Sequence, residues 1–294
     1  IVIVGGGATG IEVAGILSEM KKFVLPNDYP DMPSSLMHIY LIEAGPRLLA
    51  GMSEESSAHA EQFLREMGVN ILLNKRVVDY RDHKVVLEDG TEIATRTFIW
   101  VSGVTGVTIG NLDASLIGRG GRIKVDSFNR VEGMNNVFAI GDQCIQLADE
   151  NYPNGHPQLA QVAIQQGELL AKNLIRMEKG QEMKPFHYRN LGSMATVGRN
   201  RAVAEFSKVK MQGWFAWVMW LVVHLRSILG VRNKVIVLLN WVWNYFTYDQ
   251  SMRMIVYARK AKEIRDREKV EETTHWGKEL VQEEKNPSIT SSSK

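Results

Sequence analysis

The sequence predicts an α/β fold: a doubly wound sheet with a strand meander set into it, followed by apolar helices of another kind. Three observations carry this. The β-branched residues Ile1 to Val4 run straight into the glycines of "GGGATG" and then into the helically periodic "IEVAGILSEMKK". Strand-like and helix-like runs alternate from there to about residue 106. Beyond residue 210 the composition shifts sharply, with five of the seven tryptophans inside 214–243.

Taken in order, the glycine turn opens a strand–turn–helix unit. The Pro- and Asp-rich "FVLPNDYPDMPSS" that follows reads as an irregular excursion. "LMHIYLIE" is a strand, and "SEESSAHAEQFLREM" is a helix closed by Gly68. "VNILLN", "RVVDYR" and "KVVLEDGTEIA" are short strands, with Asp89-Gly90 as a hairpin turn, and "TFIWVSG" returns as a buried strand. "NVFAIGD" is an isolated strand, a helix begins near Pro157 and Gln158, and "SMATVGRNRAVAEF" is strand-rich and closes a second unit. The expected organisation is therefore 1–106, 107–208, 209–258, and 259–294 as a charged helical extension with a disordered tail.

A formal net charge of +2 gives no reason to expect a nucleic-acid partner. The single cysteine, Cys144, excludes an internal disulfide, a Cys-x-x-Cys pair and a thiolate metal cage, and reads as a small buried hydrophobe. No metal is expected. The chain opens directly on a strand, so the interior of a longer protein is the expectation.

Gly5, Gly7 and Gly10 fill G-x-G-x-x-G between strand and helix, the context that gives this motif its meaning. Gly5 permits the turn, Gly7 lets amides approach a pyrophosphate, and Gly10 lets helix pack on strand. Glu43, ending the second strand, suits an adenosine ribose and repels a 2′-phosphate, favouring NAD(H) over NADP. Arg47 reads either as a phosphate contact or as a surface partner of Glu43. Glu12, read as lying in the first helical turn, is either a favourable anion at a positive helix end or a carboxylate beside the nicotinamide.

Asp142 follows a glycine at a strand end, where it can hold ribityl or ribose hydroxyls or cap the next segment. The free amides of the helix beyond Gln158 suit a ring that gains negative charge on reduction, as a flavin does. Ala160 and Ala163 leave room for a flat ring. Gln161 and Gln165, one turn apart, either offer neutral amides to a carbonyl substrate such as a quinone or face solvent.

"IVIVGGGATGIEVAGIL", "LIEAGPRLL", "WVSGV", "VFAIGD", "AQVAIQQG" and the Trp-rich segment 213–249 together resemble the type II NADH:quinone oxidoreductases, single-subunit and non-pumping, over residues 1 to about 258. The resemblance implies a flavoprotein with two Rossmann-like dinucleotide-binding domains. It implies that Gly5, Gly7, Ala8, Thr9, Gly10 and Glu43 hold NADH, that Ser102 and Gly103 lie against it, and that Glu12 stands near the nicotinamide and the quinone. Gly141, Asp142, Leu159, Ala160 and Gln161 would hold FAD, and Gln161 and Gln165 would line the quinone pocket. Hydride would pass from NADH to flavin, and two electrons on to ubiquinone or menaquinone. The family carries two glycine turns and this sequence only one, so it is expected to be the carboxyl-terminal portion, with the turn for NADH.

Gly213–Leu225 and Val235–Tyr248 carry no Asp, Glu, Lys or Arg, yet each falls short of the roughly 20 residues of a spanning helix. The second has a polar stripe, Asn240, Asn244, Thr247 and Ser251, suited to a bilayer surface. The first suits burial in protein, a homodimer contact or lipid. Arg226, Arg232, Lys234, Arg253, Arg259 and Lys260 flank them and suit anionic headgroups. Attachment to the cytoplasmic face of a bacterial plasma membrane is the expectation from the resemblance. Two alternatives stand: an NADH-binding, membrane-adhering module without flavin, and another flavoprotein reductase, which the lone cysteine disfavours.

Overall fold

The computed structural model describes residues 1–247 except Met32, Thr108 and Lys208. Residues 259–294, and Ser251, Arg253, Arg259 and Lys260, lie outside the described residues. The chain divides into two compact units, 1–240 and 241–294.

Strand β1 (Val2–Val4) passes through the glycines into helix α1 (Ala8–Glu19). The excursion expected to be irregular is partly helical. The backbone continues through a π-helical turn, Met20–Val24, into the short α2 (Leu25–Asp28). Pro26 is tolerated there because the first turn asks for no N–H.

There follow β2 (Ile39–Ile42), α3 (Glu54–Glu66), β3 (Val69–Leu72), β4 (Val77–Arg81), β5 (Lys84–Leu87), β6 (Glu92–Ala94) and β7 (Phe98–Trp100). Four of these strands form a parallel sheet in the order β3-β2-β1-β7. Ile3, Leu41 and Ile71 pack on one face against Ile11, Ala14 and Leu64 from the helices. On the other face the antiparallel meander β4-β5-β6 brings Val85 and Leu87 against Val2, Val4 and Ile42. Gly90, at φ 83°, makes the β5–β6 turn as expected. The strand "TFIWVSG", expected to be buried, is the sheet's edge: Trp100 is 56% exposed.

From 107 onward regular structure is sparse. β8 (Ile123–Val125) and β9 (Cys144–Gln146) make a two-stranded parallel sheet. "NVFAIGD" does not form a strand; it contributes one isolated bridge, Phe138 to Arg130. Helix α4 (Ala160–Glu178) begins two residues later than expected, because Leu159 is still extended.

β10 (Ser193–Gly198), β11 (Arg201–Phe206) and β12 (Val209–Gln212) form an antiparallel sheet. These strands were expected to close the second unit. Instead Ala195, Val197 and Val203 share one core with Ile3, Ile11 and Ala14. Gly15 explains the fit, since a Cβ there would stand 1.8 Å from the Val197 carbonyl oxygen. Carboxylates reinforce the seam. Glu19 accepts from the Arg199 amide, and Glu205 accepts from both the amide and hydroxyl of Ser53, the N-cap of α3.

Helix α5 (Gly213–Ser227) lays Ala216 on Ala202 and Ala204, while Phe215 and Val222 face outward. Helix α6 (Val231–Thr247) buries no residue. Among the described residues no helix is long and apolar enough to cross a membrane.

Candidate functional site

The glycine turn is assembled almost entirely from backbone. Gly5 takes φ 116°, and a Cβ there would meet the Val101 carbonyl oxygen at 2.7 Å. Ser102, following β7, therefore lies directly beside it, with its Cα 2.9 Å from the same point. A Cβ on Gly10 would sit 1.8 Å from the Gly5 carbonyl oxygen, so helix and turn touch as the motif requires. At Gly7 a Cβ would meet nothing within 4 Å. Gly7 is the N-cap of α1 and no side chain caps it, while Ala8 and Thr9 are exposed. Open space in front of uncapped helical amides makes a cradle that suits an anionic group.

Glu43 bridges two amides: Gly6 donates to Oε2 at 2.6 Å and Gly45 to Oε1 at 2.7 Å. The carboxylate is thus fixed at the lip of the cradle with acceptor positions to spare. Arg47 does neither of the things expected of it. Its guanidinium donates to the carbonyls of Leu49, Ala50 and Met52, which folds the 47–52 loop under the turn. Glu12 lies one turn deeper than expected, because α1 starts at Ala8 and no acidic residue occupies its first turn. It is too far along to serve the helix end. Its Oε1 instead accepts from the Thr196 amide and hydroxyl at 3.4 and 3.3 Å.

Around α4 the groups that hold the backbone are side-chain amides. Gly141, at φ 65°, lies against the helix, where a Cβ would stand a tight 3.2 Å from the Ala163 Cβ. The small Ala163 lets this loop approach the helix closely. Gln158 donates to the Asp142 carbonyl at 3.1 Å. Asp142 sits in a single 3-10 turn, Gly141–Gln143, and is exposed; among the described residues its carboxylate caps no segment. Leu159 is the N-cap of α4, again without a side-chain cap, and Ala160 beyond it is exposed.

Gln161 and Gln165 do not face solvent unengaged. Gln161 donates to the Gly192 carbonyl at 3.0 Å and accepts from the Leu191 amide at 3.1 Å. Gln165 donates to the Arg189 carbonyl at 2.9 Å and accepts from the Arg189 amide at 3.1 Å. Both amides pair with the extended run 189–192 as a neighbouring strand would. Glu12 grips the same run four residues on, at Thr196. Helix α4, through Gln161 and Gln165, and helix α1, through Glu12, thus bond one continuous stretch of backbone, 189–196.

Gln166 went unnoticed in the sequence, although it stands next to Gln165. It is buried, accepts from the Gly141 amide at 2.7 Å and lies 3.6 Å from the Cys144 sulfur through Nε2. Its helical phase was the available signal, since Val162, Gln166 and Asn173 recur at the spacing of a buried face. Gln143 exchanges two hydrogen bonds with the Val107 backbone in the same way. Burial pushes the Cys144 thiol up, against opposing pulls from Gln166 and Arg122, so it is an inert packed group. Among the described residues no three His, Cys, Asp or Glu side chains are grouped to hold a metal ion.

Comparison with known proteins agrees with this layout. Residues 1–167 match the family model for pyridine nucleotide-disulphide oxidoreductases, and residues 190–248 match the NDH2 C-terminal domain. The type II NADH:quinone oxidoreductase NdhA of Mycobacterium tuberculosis is 35% identical over 253 residues, covering 82% of this chain and 52% of that protein. An internal alternative NAD(P)H-ubiquinone oxidoreductase A1, mitochondrial, of Arabidopsis thaliana is 32% identical, covering 83% and 50%. The chain thus spans about half the length of these relatives. Among solved structures, NDH2 from Plasmodium falciparum in complex with NADH superposes with a TM-score of 0.76 at 19% identity, covering 86% of this chain and 66% of that one. A ferredoxin reductase from Rhodopseudomonas palustris superposes at 0.51 and 18% identity, covering 69% and 46%.

Proposed function

Because the chain belongs to the pyridine nucleotide-disulphide oxidoreductase family, and to its type II NADH:quinone oxidoreductases, we propose that it carries electrons from NADH through FAD to a membrane quinone without pumping protons. The observation that carries this is the convergence of Glu12, Gln161 and Gln165 on the backbone run 189–196, between an open glycine turn and the uncapped start of α4. The relative that superposes best among those named above binds NADH, and the bacterial and plant relatives are named for quinone reduction.

NADH would place its diphosphate against the amides of Gly7, Ala8 and Thr9, where Gly7 leaves the space open. Glu43, fixed by Gly6 and Gly45, would accept from the ribose hydroxyls and repel a 2′-phosphate. Ser102 and Gly103 would flank the dinucleotide beside Gly5. The residues around α4 also fit their share of FAD. Ala160 is exposed at an uncapped positive helix end, Leu159 and Gly141 border it, and the Asp142 carboxylate is exposed to take hydroxyl groups. FAD, when bound, supplies the two-electron relay between nicotinamide and quinone.

Gln161 and Gln165 each keep a second N–H and a second lone pair beyond those spent on the run 189–192, enough to orient a quinone carbonyl without bringing a charge to it. Glu12, joined to the continuation of that run at Thr196, would stand on the nicotinamide side. The outward apolar residues of α5 and α6, with Arg226, Arg232 and Lys234, support peripheral attachment to a lipid surface rich in anionic headgroups. On the cytoplasmic face of a bacterial plasma membrane this would bring the quinone face to its bilayer-dissolved substrate. A homodimer through these helices is the other occupant such faces suit.

An anaerobic visible spectrum of the complete protein tests the proposal. A flavin band that bleaches with NADH and returns with a short-chain quinone is expected. Absence of the band would reduce the chain to a nucleotide-binding module.

A further inference from the structure

Beneath the start of α4 lies a buried histidine–carboxylate pair that the proposed reaction does not use. His156 is 2% exposed and Asp149 4%, with His156 Nε2 3.0 Å from Asp149 Oδ2. The other carboxylate oxygen accepts from the Asn151 amide at 3.0 Å. Burial works to raise this carboxyl, but the hydrogen bonds from His156 and the Asn151 amide outweigh it and hold it below its usual value, so it is ionised at neutral pH. The imidazole stands in an aromatic box, with the rings of Tyr152 and Phe186 at 5.2 Å and that of Tyr188 at 5.9 Å. Its Nδ1 has no hydrogen-bond partner among the described residues, which leaves Asp149 as the ring's polar anchor.

The box touches both sides of the quinone face. Three residues beyond His156 is Leu159, the N-cap of α4, and Arg122 fixes the approach by donating to the His156 carbonyl at 3.0 Å. Phe186 and Tyr188 pack on Val162 of α4, and the chain runs from Tyr188 directly into the segment that Gln161 and Gln165 bind. One buried pair therefore sets the height of the helix end and the origin of the run opposite it. A hydrogen-bonded polar pair placed at such depth is poor at adding stability over an apolar equivalent, and the better-attested use of such buried polar groups is to fix register.

Resting on the reaction proposed above, we infer that Asp149 and His156 are positioning residues for the quinone face. Through the 157–160 and 186–192 backbone, they hold Gln161 and Gln165 at the geometry quinone needs while leaving the NADH turn untouched.

The test uses the complete protein carrying Asp149→Asn. Hydrogen exchange of peptides covering 187–192 and 159–163 should speed up, and the quinone KM should rise about tenfold, the scale on which small misplacements act. The NADH-driven bleaching of flavin should stay within about twofold of the unaltered protein, since the glycine turn lies outside the box. Unchanged exchange and unchanged quinone KM in the folded variant would overturn the inference, as would equal losses in both half-reactions. Should Asp149→Asn fail to fold, Tyr152→Leu removes one wall of the box while leaving the Asp149–His156 hydrogen bond in place, and the same readings decide. If the unaltered protein shows no flavin, the reaction proposed above fails by itself, and the exchange at 187–192 still reports whether the pair holds the run.

Discussion

At the glycine turn the backbone presents its own groups, whereas around α4 side-chain amides hold the backbone in place. The turn is fixed by contacts a Cβ would destroy, at Gly5, Gly10 and, one helical turn on, Gly15. The α4 region has a two-stranded sheet for a frame, and Gln143, Gln158, Gln161, Gln165, Gln166 and Asn173 each bond a main-chain group there. The first region admits no Cβ at Gly5, Gly10 or Gly15, and the polar side chains it relies on are few, Glu43 and Arg47 among them. The second should lose its shape amide by amide.

The largest effect expected from this contrast is at Gly15. Gly15→Ala drives a methyl group into the Val197 carbonyl and should open the α1–β10 seam, at or beyond the roughly 1–3 kcal/mol typical of overpacking. A thermal melt checks it, and an unchanged midpoint would show that the seam is looser than its geometry. Next is Gln166→Leu, which leaves the Gly141 amide buried without its acceptor and should cost about 1–3 kcal/mol. Flavin retention after gel filtration should fall with it, while NADH binding, followed by fluorescence, should not.

Gln161→Ala and Gln165→Ala each remove two hydrogen bonds from partly exposed positions, so about 1 kcal/mol of stability apiece is expected. The quinone half-reaction should suffer far more than the melt. Equal loss of both would mark the pair as purely structural.

The smallest effect is a pH dependence. Burial tends to raise the Glu205 carboxyl, but hydrogen bonds from Ser53 and Ser56 outweigh it and the group is held below its usual value. Its folded value lies below the unfolded one, near about 4.3, so its contribution is present above that pH and lost as pH falls through the folded value. Glu205→Gln should flatten the acid limb of the stability curve between about pH 5 and the folded value, read by urea midpoints at several pH values. An acid limb identical in both proteins would remove Glu205 from the seam.

The first region was the more legible in sequence for the same physical reason that makes it rigid. β1, the turn, α3 and the Asp89-Gly90 hairpin stand where periodicity and glycine placed them, and α1 begins within the turn itself at Ala8, because each is decided by neighbours a few residues away. Glu43 was recognisable by its place at a strand end, but its two amide partners were not, and Arg47 was misassigned because nothing local distinguishes a phosphate-facing guanidinium from one turned back onto its own loop. In the second region Gln161 and Gln165 stood out by type and spacing. Gln166 did not, since a buried amide is told from an exposed one only by what covers it.

The sequence by itself determined the glycine turn, the order of strands and longer helices up to β7, and the change of character after residue 210, all of which follow from short-range backbone preference and apolar period. Only the tertiary structure decided that β10 and β11 belong to the core of α1 and β1, and that Glu12 meets Gln161 and Gln165 on one backbone run. It alone brought His156 to Asp149 inside its aromatic box. These are contacts across as many as 184 residues of chain. Their partners are chosen by which surfaces fit and which buried polar groups find a mate, and no local pattern encodes that choice.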